Sequence, residues 1–360
     1  MRIALVHDDL VQWGGAERVL EAMCEVYPEA PIFTSVYDCS NEELSKRFGS
    51  KKIYTSFLQK IPWWRSLYKI LFPLYPVAFE QFDFSKFDLV ISHTSRFAKA
   101  IVTKPRTIHI CYCLTPPRFL WHFSGEKNYG FLEILLSILR IFDRVFASRI
   151  DHFLVNSKNT GQRIKKIYQR DSKVVYPFVD LARFKNIEAF DGGYFVVITR
   201  LNKYKRVDLA LQACLELGVP IKIVGSGPEL GKLKVESGKW QVDSQIDLLG
   251  NVDDGTVVQV LAGCRALIVP GIEDFGITPL EAQVLGKPVI AYREGGVLET
   301  VTDKKTGIFF NEQTVESLKE AILKLASTNI VAQNCVDNAT FFSKENFSAN
   351  FKKAISSLVY

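Results

Sequence analysis

Residues 271–282 read GIEDFGITPLEA and hold two glutamates, Glu273 and Glu281, with seven residues between them. The apolar, β-branched stretch RALIVPGIE that leads into it predicts a buried strand, and TPLEAQVLGK after it predicts a helix. Thr278 suits the N-cap, Pro279 the first helical position, and Glu281 falls three residues after the cap, which is the capping-box spacing. Capping therefore accounts locally for Glu281. It does not account for Glu273, which stands at the carboxyl end of the strand, where open α/β sheets bind ligands.

The same strand–turn–helix grammar runs along the chain. In the first half the strand candidates are RIALVHD, PIFTSVYD, DLVISH, TIHICYC and HFLVNS, separated by helical patterns such as GAERVLEAMCEVY and KNTGQRIKKIYQ. After KVVYPFVDLARFKNIEAFDGG the alternation restarts with YFVVITR, PIKIVGSG, IDLLGNV, ALIVPGIE, PVIAYRE and TGIFFN. Such alternation predicts parallel sheets with helices on both faces. Two sets predict two doubly wound α/β domains, residues 1–178 and 179–342, with a hinge near 176–193 and a C-terminal helix over 343–360 returning to the first. Facing each other, the two would form one cleft. His7, Asp8, His93, Arg200, Gly225 and Glu273 are the polar or turn residues at strand ends that could line it, although each also suits an ordinary turn.

Composition narrows the function classes. Hydrophobic residues make up 48% of the 360, enough for two full cores. Lys plus Arg number 45 against 39 acids, a net charge of +6 that falls short of a dedicated nucleic-acid binder. The seven cysteines are scattered, and Cys111 and Cys113, two apart in a strand, point to opposite faces. That disfavours zinc and favours a reducing compartment. The opening MRIALVHDD reads as a strand and is too short for a secretory h-region. The most apolar stretch, YGFLEILLSILRIFDRVF, is interrupted by Glu133, Arg140, Asp143 and Arg144. Its positions Leu132, Leu135, Leu136, Leu139, Phe142 and Phe146 keep a helical period, so an amphipathic helix is expected in place of a membrane span.

Taken in order, TRLNKYKRVDLALQA, IKIVGSGPELGKL, LLGNVDDGTVVQVLAGCRALIVPGIEDFGITPLEAQVLGKPVIAYREGGVLETV and TGIFF resemble the retaining glycosyltransferases of family 4, which have the GT-B fold, and among them bacterial surface-polysaccharide mannosyltransferases. The E-x7-E pair is that family's signature, and HDDLVQWGGAERVL is similar to its opening Gly-Gly loop. The resemblance implies a nucleotide-sugar donor, with mannose from GDP-mannose the expected sugar. It implies that Arg200 and Lys205 meet the donor phosphates, where they would neutralise the leaving group as a metal does elsewhere. It further implies that Glu281 accepts from the ribose hydroxyls and that Glu273 meets the transferred sugar. Gly15 at a helix start, Gly225 and Gly227 after a strand, and the Phe275, Gly276, Ile277 and Thr278 backbone would offer N–H groups to the donor. No metal and no cofactor beyond the donor substrate are expected.

On the acceptor side the family carries a histidine where this chain has Leu114. His7, His93, Arg118 and His122 remain as candidates there. Residues 44–79 contain no acid, and Trp63, Trp64, Tyr68, Phe72, Tyr75 and Phe79 are interleaved with seven Lys and Arg. PWWRSLYKILF within that stretch suits an interfacial helix on an anionic membrane, where a lipid-linked glycan acceptor would sit. The expected location is cytoplasmic, peripheral on the inner face of the membrane, with no nucleic-acid partner. A GT-B epimerase or phosphorylase, or a non-catalytic sugar-nucleotide-binding relative, are the alternatives.

Overall fold

The computed structural model describes residues 1–68, 70–121, 123, 130, 132–238 and 245–359. The chain divides into two compact units, Met1–Pro177 with Phe347–Tyr360, and Phe178–Asn346.

The first unit is built on seven strands: β1 (Ile3–His7), β2 (Ile32–Thr34), β3 (Ile53–Thr55), β4 (Leu89–Thr94), β5 (Ile108–Cys113), β6 (His152–Val155) and β7 (Ser172–Val174). They lie in the order β3-β2-β1-β4-β5-β6-β7, every pair parallel. The second unit has β8 (Tyr194–Ile198), β9 (Ile221–Val224), β10 (Ile246–Gly250), β11 (Cys264–Val269), β12 (Val289–Tyr292) and β13 (Gly307–Phe310). Their order is β10-β9-β8-β11-β12-β13, again all parallel. In both sheets the chain starts in the middle, runs to one edge, then returns to the other side of its first strand. The reversal falls between β1 and β4 and between β8 and β11. At such a switch point the connections leave in opposite directions and open a crevice at the carboxyl ends of the strands.

The eleven strands expected from sequence are all present. The two it missed, β3 and β7, are three-residue edge strands carrying half-exposed side chains. Short, polar edges give no periodic signal, and the same shortness blunts them against pairing with another chain. The central strands are buried on both faces: β4 is buried throughout and β5 nearly so. Helices then cover both faces. Val197, Leu209, Ile223, Ile268, Ile308 and Leu318 share one core in the second unit. Val6, Phe33, Phe79, Phe84 and Val90 belong to a core of the first. The helix Lys344–Val359 sets Phe347 and Phe351 edge-on to Tyr112, with ring centroids 6.3 and 6.1 Å away.

Three local expectations change. The helix after β11 spans Ile277–Val284 and its N-cap is Gly276, at φ 95°, a left-handed conformation open to glycine. Thr278 and Glu281 thus lie inside the helix, no side chain caps it, and the capping-box reading fails. PWWRSLYKILF does not form one interfacial helix. It contains a single turn, Trp64–Leu67, followed by a 3₁₀ turn Phe72–Leu74 and the helix Tyr75–Glu80, and Trp64, Tyr75 and Phe79 are core residues. Lys69 within it lies outside the described residues. The helix Leu132–Ser148 does bury Leu136, Leu139 and Phe146, but Phe142 is exposed together with Ile134, Ile138, Ile141 and Val145. These five recur three and four apart and so form a second apolar stripe on one helix. The Leu132 side chain is outside the described set.

Candidate active site

In the second unit the switch between β8 and β11 gathers the expected cations and the first glutamate. Arg200 follows β8, exposed, its side chain bonded to nothing among the described residues. Lys205 ends the 3₁₀ turn Lys203–Lys205 and is buried. Its Nζ donates to Glu273 Oε1 at 2.5 Å, with the side chains 11% and 23% exposed. Glu273 is fixed through its backbone as well. It makes a parallel bridge to Gly295, and its carbonyl accepts from Gly296 N–H at 2.8 Å. Thr199, Lys205, Gly271, Glu273 and Thr278 line one small pocket there. A larger cavity of about 370 Å³, lined by Phe195, Val219 and Pro288 among others, flanks the amino ends of the strands, the end ligands avoid in such sheets.

Gly225 and Gly227 follow β9 at φ 134° and 159°. A Cβ on Gly225 would come within 1.8 Å of the Thr199 carbonyl oxygen, so the loop can lie against the strand end only without a side chain. Phe275 is buried edge-on to Phe342 at 5.6 Å, so its ring is core and only its backbone can reach a ligand. Ile277 and Thr278 begin a helix with no side-chain cap, and their N–H groups are the kind an anion satisfies. One helical turn further, Glu281 Oε1 accepts from Arg183 Nη1. The other edge of the Arg183 guanidinium is forked onto Asp254.

In the first unit the corresponding switch is packed with charge. His7 at the end of β1 stacks on His93 of β4, Nδ1 to Nδ1 at 3.1 Å, and its Nε2 lies 3.7 Å from Glu17 Oε1. Burial alone would lower the His7 pKa, but Glu17, Asp8 and Asp9 outweigh it and leave it raised. Burial and the neighbouring His7 push His93 well down. These opposite shifts favour His7 as the donor and His93 as the acceptor across the Nδ1–Nδ1 contact, and His93 Nε2 is buried with no hydrogen-bond partner among the described residues.

Asp8, which in sequence suits a strand end or a turn, and its neighbour Asp9 are both buried. The Asp8 carboxylate accepts from the Phe97 and Ala98 N–H groups, the Ser95 and Arg96 N–H groups and the Thr94 hydroxyl. Burial would raise it; Arg96, His7 and these donors hold it below the usual carboxylate range. Asp9 pairs with Arg96. Gly15 is the first residue of the helix Gly15–Val26, after an extended Gly14. Arg118 opens the short helix Arg118–Trp121, half-buried. Leu114 is held by its backbone, with N–H to the Thr94 carbonyl at 2.8 Å and carbonyl to the Thr160 hydroxyl at 3.1 Å. His122 lies outside the described residues.

Sequence reasoning missed Arg183, Glu17 and Arg96. Arg183 and Arg96 act through partners far along the chain, and Glu17 meets His7 only where the loop between them folds back, so no local spacing marks them. Among the described residues no group of three or more His, Cys, Asp or Glu is placed to hold a metal ion. No helix there is long and apolar enough to cross a membrane.

Residues 13–183 match the family model described as Glycosyltransferase Family 4, and residues 179–341 the model described as Glycosyl transferases group 1. The chain is 24% identical to the alpha-1,3/1,6-mannosyltransferase ALG2 of Dictyostelium discoideum, over 97% of this chain and 95% of that protein. Its fold is like that of Anabaena HepE, solved in complex with UDP, with a TM-score of 0.75 at 17% identity over 99% of this chain and 100% of that one. It is also like the lipopolysaccharide outer core galactosyltransferase WaaB in its apo form, with a TM-score of 0.71 at 17% identity over 99% of both chains. With one model following the other from residue 13 to residue 341, over two parallel sheets that each reverse beside their first strand, the chain belongs to the family-4 glycosyltransferases of GT-B fold.

Proposed function

We propose that the protein transfers a hexose, with retention and without a metal, from a nucleotide sugar to a lipid-linked or polysaccharide acceptor in surface-glycan synthesis, and that the donor is GDP-mannose. The observation that carries this reading is the Lys205–Glu273 pair at the β8–β11 switch, one strand–turn away from Glu281. A diphosphate needs cations where its charge grows as the glycosidic bond breaks, and Arg200 and Lys205 are such cations on neighbouring turns. Glu281 reads the ribose hydroxyls and Glu273 the sugar. Retention is supported by the E-x7-E pattern. Mannose is supported by the name of the ALG2 relatives, whereas HepE was also solved with UDP-glucose, which makes UDP-glucose the donor to compare first. Thermal stabilisation by a panel of GDP and UDP sugars tests the choice, because a ligand at 100 times its Kd adds about 2.7 kcal/mol. GDP-mannose should stabilise most; a UDP sugar in its place would refute mannose. Leu114 favours a non-catalytic relative. Stabilisation by a donor that is then neither transferred nor hydrolysed would make that reading correct.

We also propose that the first unit rests on an anionic membrane surface. The support is the exposed stripe Ile134, Ile138, Ile141, Phe142 and Val145, together with exposed Trp63, Ile70 and Val77 in the acid-free segment. Exposed aliphatic and aromatic groups beside lysines and arginines suit the headgroup boundary.

A further inference from the structure

Arg183 sits in the 3₁₀ turn Leu181–Phe184, soon after the chain enters the second unit. The backbone of that turn is anchored. Asp180 caps it through the Ala182 N–H, Val179 N–H donates to the Phe342 carbonyl at 2.9 Å, and Phe184 is buried. The guanidinium is planar and rigid, and its two edges face different acids. Nε and Nη2 fork onto the Asp254 carboxylate at 2.8 and 2.5 Å, and Nη1 donates to Glu281 Oε1. Asp254 is the first residue of the helix Asp254–Ala262, whose N-terminus Asp253 caps through Thr256 N–H at 2.9 Å. The Asp254 side chain is 57% exposed, while those of Arg183 and Glu281 are each 12% exposed. With Asp254 more than half exposed, this fork adds little to folding. Its effect is to fix the plane of the guanidinium, and through Nη1 the plane of Glu281.

We infer that Arg183 is the positioning residue for the ribose-reading carboxylate. The inference rests on the proposal that Glu281 accepts from the ribose hydroxyls. A glutamate has three torsions, and two vicinal hydroxyls can both be met by one carboxylate only in a narrow range of orientations. Arg183 takes one oxygen and sets the carboxylate plane; the second oxygen and the unused lone pairs are left for ligand. The two carboxylates about the guanidinium hold its pKa up against burial, so it stays charged at any assay pH. Ordering of Glu281 is thus complete before the donor arrives. Without Arg183 the binding step itself would order that side chain, which lowers affinity roughly tenfold.

The test is isothermal titration of the full chain with GDP, UDP and their 2′,3′-dideoxy analogues, using whichever base binds more tightly. The readout is the ribo-to-dideoxy affinity ratio, which a general loss of stability does not move. The wild-type ratio should be roughly 10- to 150-fold, the range of hydrogen bonds to a charged group. Arg183→Ala should cut that ratio about tenfold, and Arg183→Lys, which keeps a charge but cannot fork, should restore part of it. If Arg183→Ala melts below the assay temperature, Arg183→Gln carries the same comparison. A ratio unchanged in the Arg183 variants but lost in Glu281→Ala would overturn the positioning role alone. A ratio unchanged in Glu281→Ala as well would overturn the ribose reading beneath it. Tighter diphosphate binding by Arg183→Ala would mean that Arg183 competes with the donor for Glu281, and would also overturn the inference.

Discussion

Replacing Glu273 with glutamine should strengthen binding of the free nucleoside diphosphate while slowing sugar transfer. Lys205 Nζ is paired with Glu273 Oε1, 2.5 Å away. A phosphate oxygen accepting from the far side of Nζ at ~2.8 Å would lie ~5 Å from that carboxylate. Two unit charges at that distance repel by about 3 kcal/mol at an effective dielectric of ~20. The Glu273 side chain is 23% exposed, and screening reduces the repulsion to about 1–2 kcal/mol. Glu273→Gln keeps the volume and removes the charge, so GDP or UDP should bind about 5- to 30-fold more tightly. Lys205→Met removes the cation and should weaken the same ligand roughly 10- to 150-fold. Calorimetric titration of the diphosphate against both variants, with turnover of the intact donor in parallel, separates the two roles. Equal weakening by Glu273→Gln and Lys205→Met would show that the carboxylate serves to hold Lys205 in place, and the opposed roles argued above would be wrong.

Four further outcomes are expected. Transfer should survive chelation, since Arg200 and Lys205 supply the charge; activity abolished by EDTA and restored by Mg²⁺ or Mn²⁺ would refute this. Ile138→Asp with Ile141→Asp should release the protein from anionic vesicles in co-sedimentation and leave its melting temperature within a few degrees, because both side chains are exposed. Asp143→Ala should destabilise by about 3–5 kcal/mol in urea, because it strands Lys99, whose Nζ lies 2.7 Å from Asp143 Oδ1 with the side chain 1% exposed. His109, held against the Ser92 hydroxyl at 2.8 Å, is pushed down to about 3 by burial. The folded protein therefore keeps it neutral while the unfolded chain takes up a proton below about pH 6.5, so stability falls as pH falls through that window. His109→Gln should flatten the slope by about 1.4 kcal/mol per pH unit between about pH 6 and 5. An unchanged slope would mean that His109 titrates normally.

The parts of the fold carried by local pattern were legible. Buried parallel strands are apolar runs, and β8, YFVVI, announces itself as such. The edge strands β3 and β7 were not legible, because three half-exposed residues carry no period. At the site, Glu273 could be singled out because nothing local explained it. Glu281 misled in its local role, since Thr278 and Pro279 imitate a cap; Gly276, with its left-handed backbone, begins the helix two residues earlier. Arg183 was invisible for a different reason. Its partners are 71 and 98 residues away, and only the folded sheet brings them together. Asp8 reads in sequence as a cleft residue or an ordinary turn residue, because a carboxylate that will be buried among backbone N–H donors looks there like any aspartate before a loop.

The helix that places Phe347 and Phe351 on Tyr112 makes the first unit discontinuous in sequence, while the second is one uninterrupted stretch. During vectorial synthesis the whole of the stretch 178–346 is made before residues 347–360, so every segment of the second unit exists before the first unit has its last helix. The earlier-made unit must wait, its Tyr112 face uncovered, for the later one to be finished. The order of completion thus runs against the order of translation. An arrest or frameshift close to residue 346 would leave a complete second unit beside a first one that lacks part of its covering, a surface suited to chaperone capture.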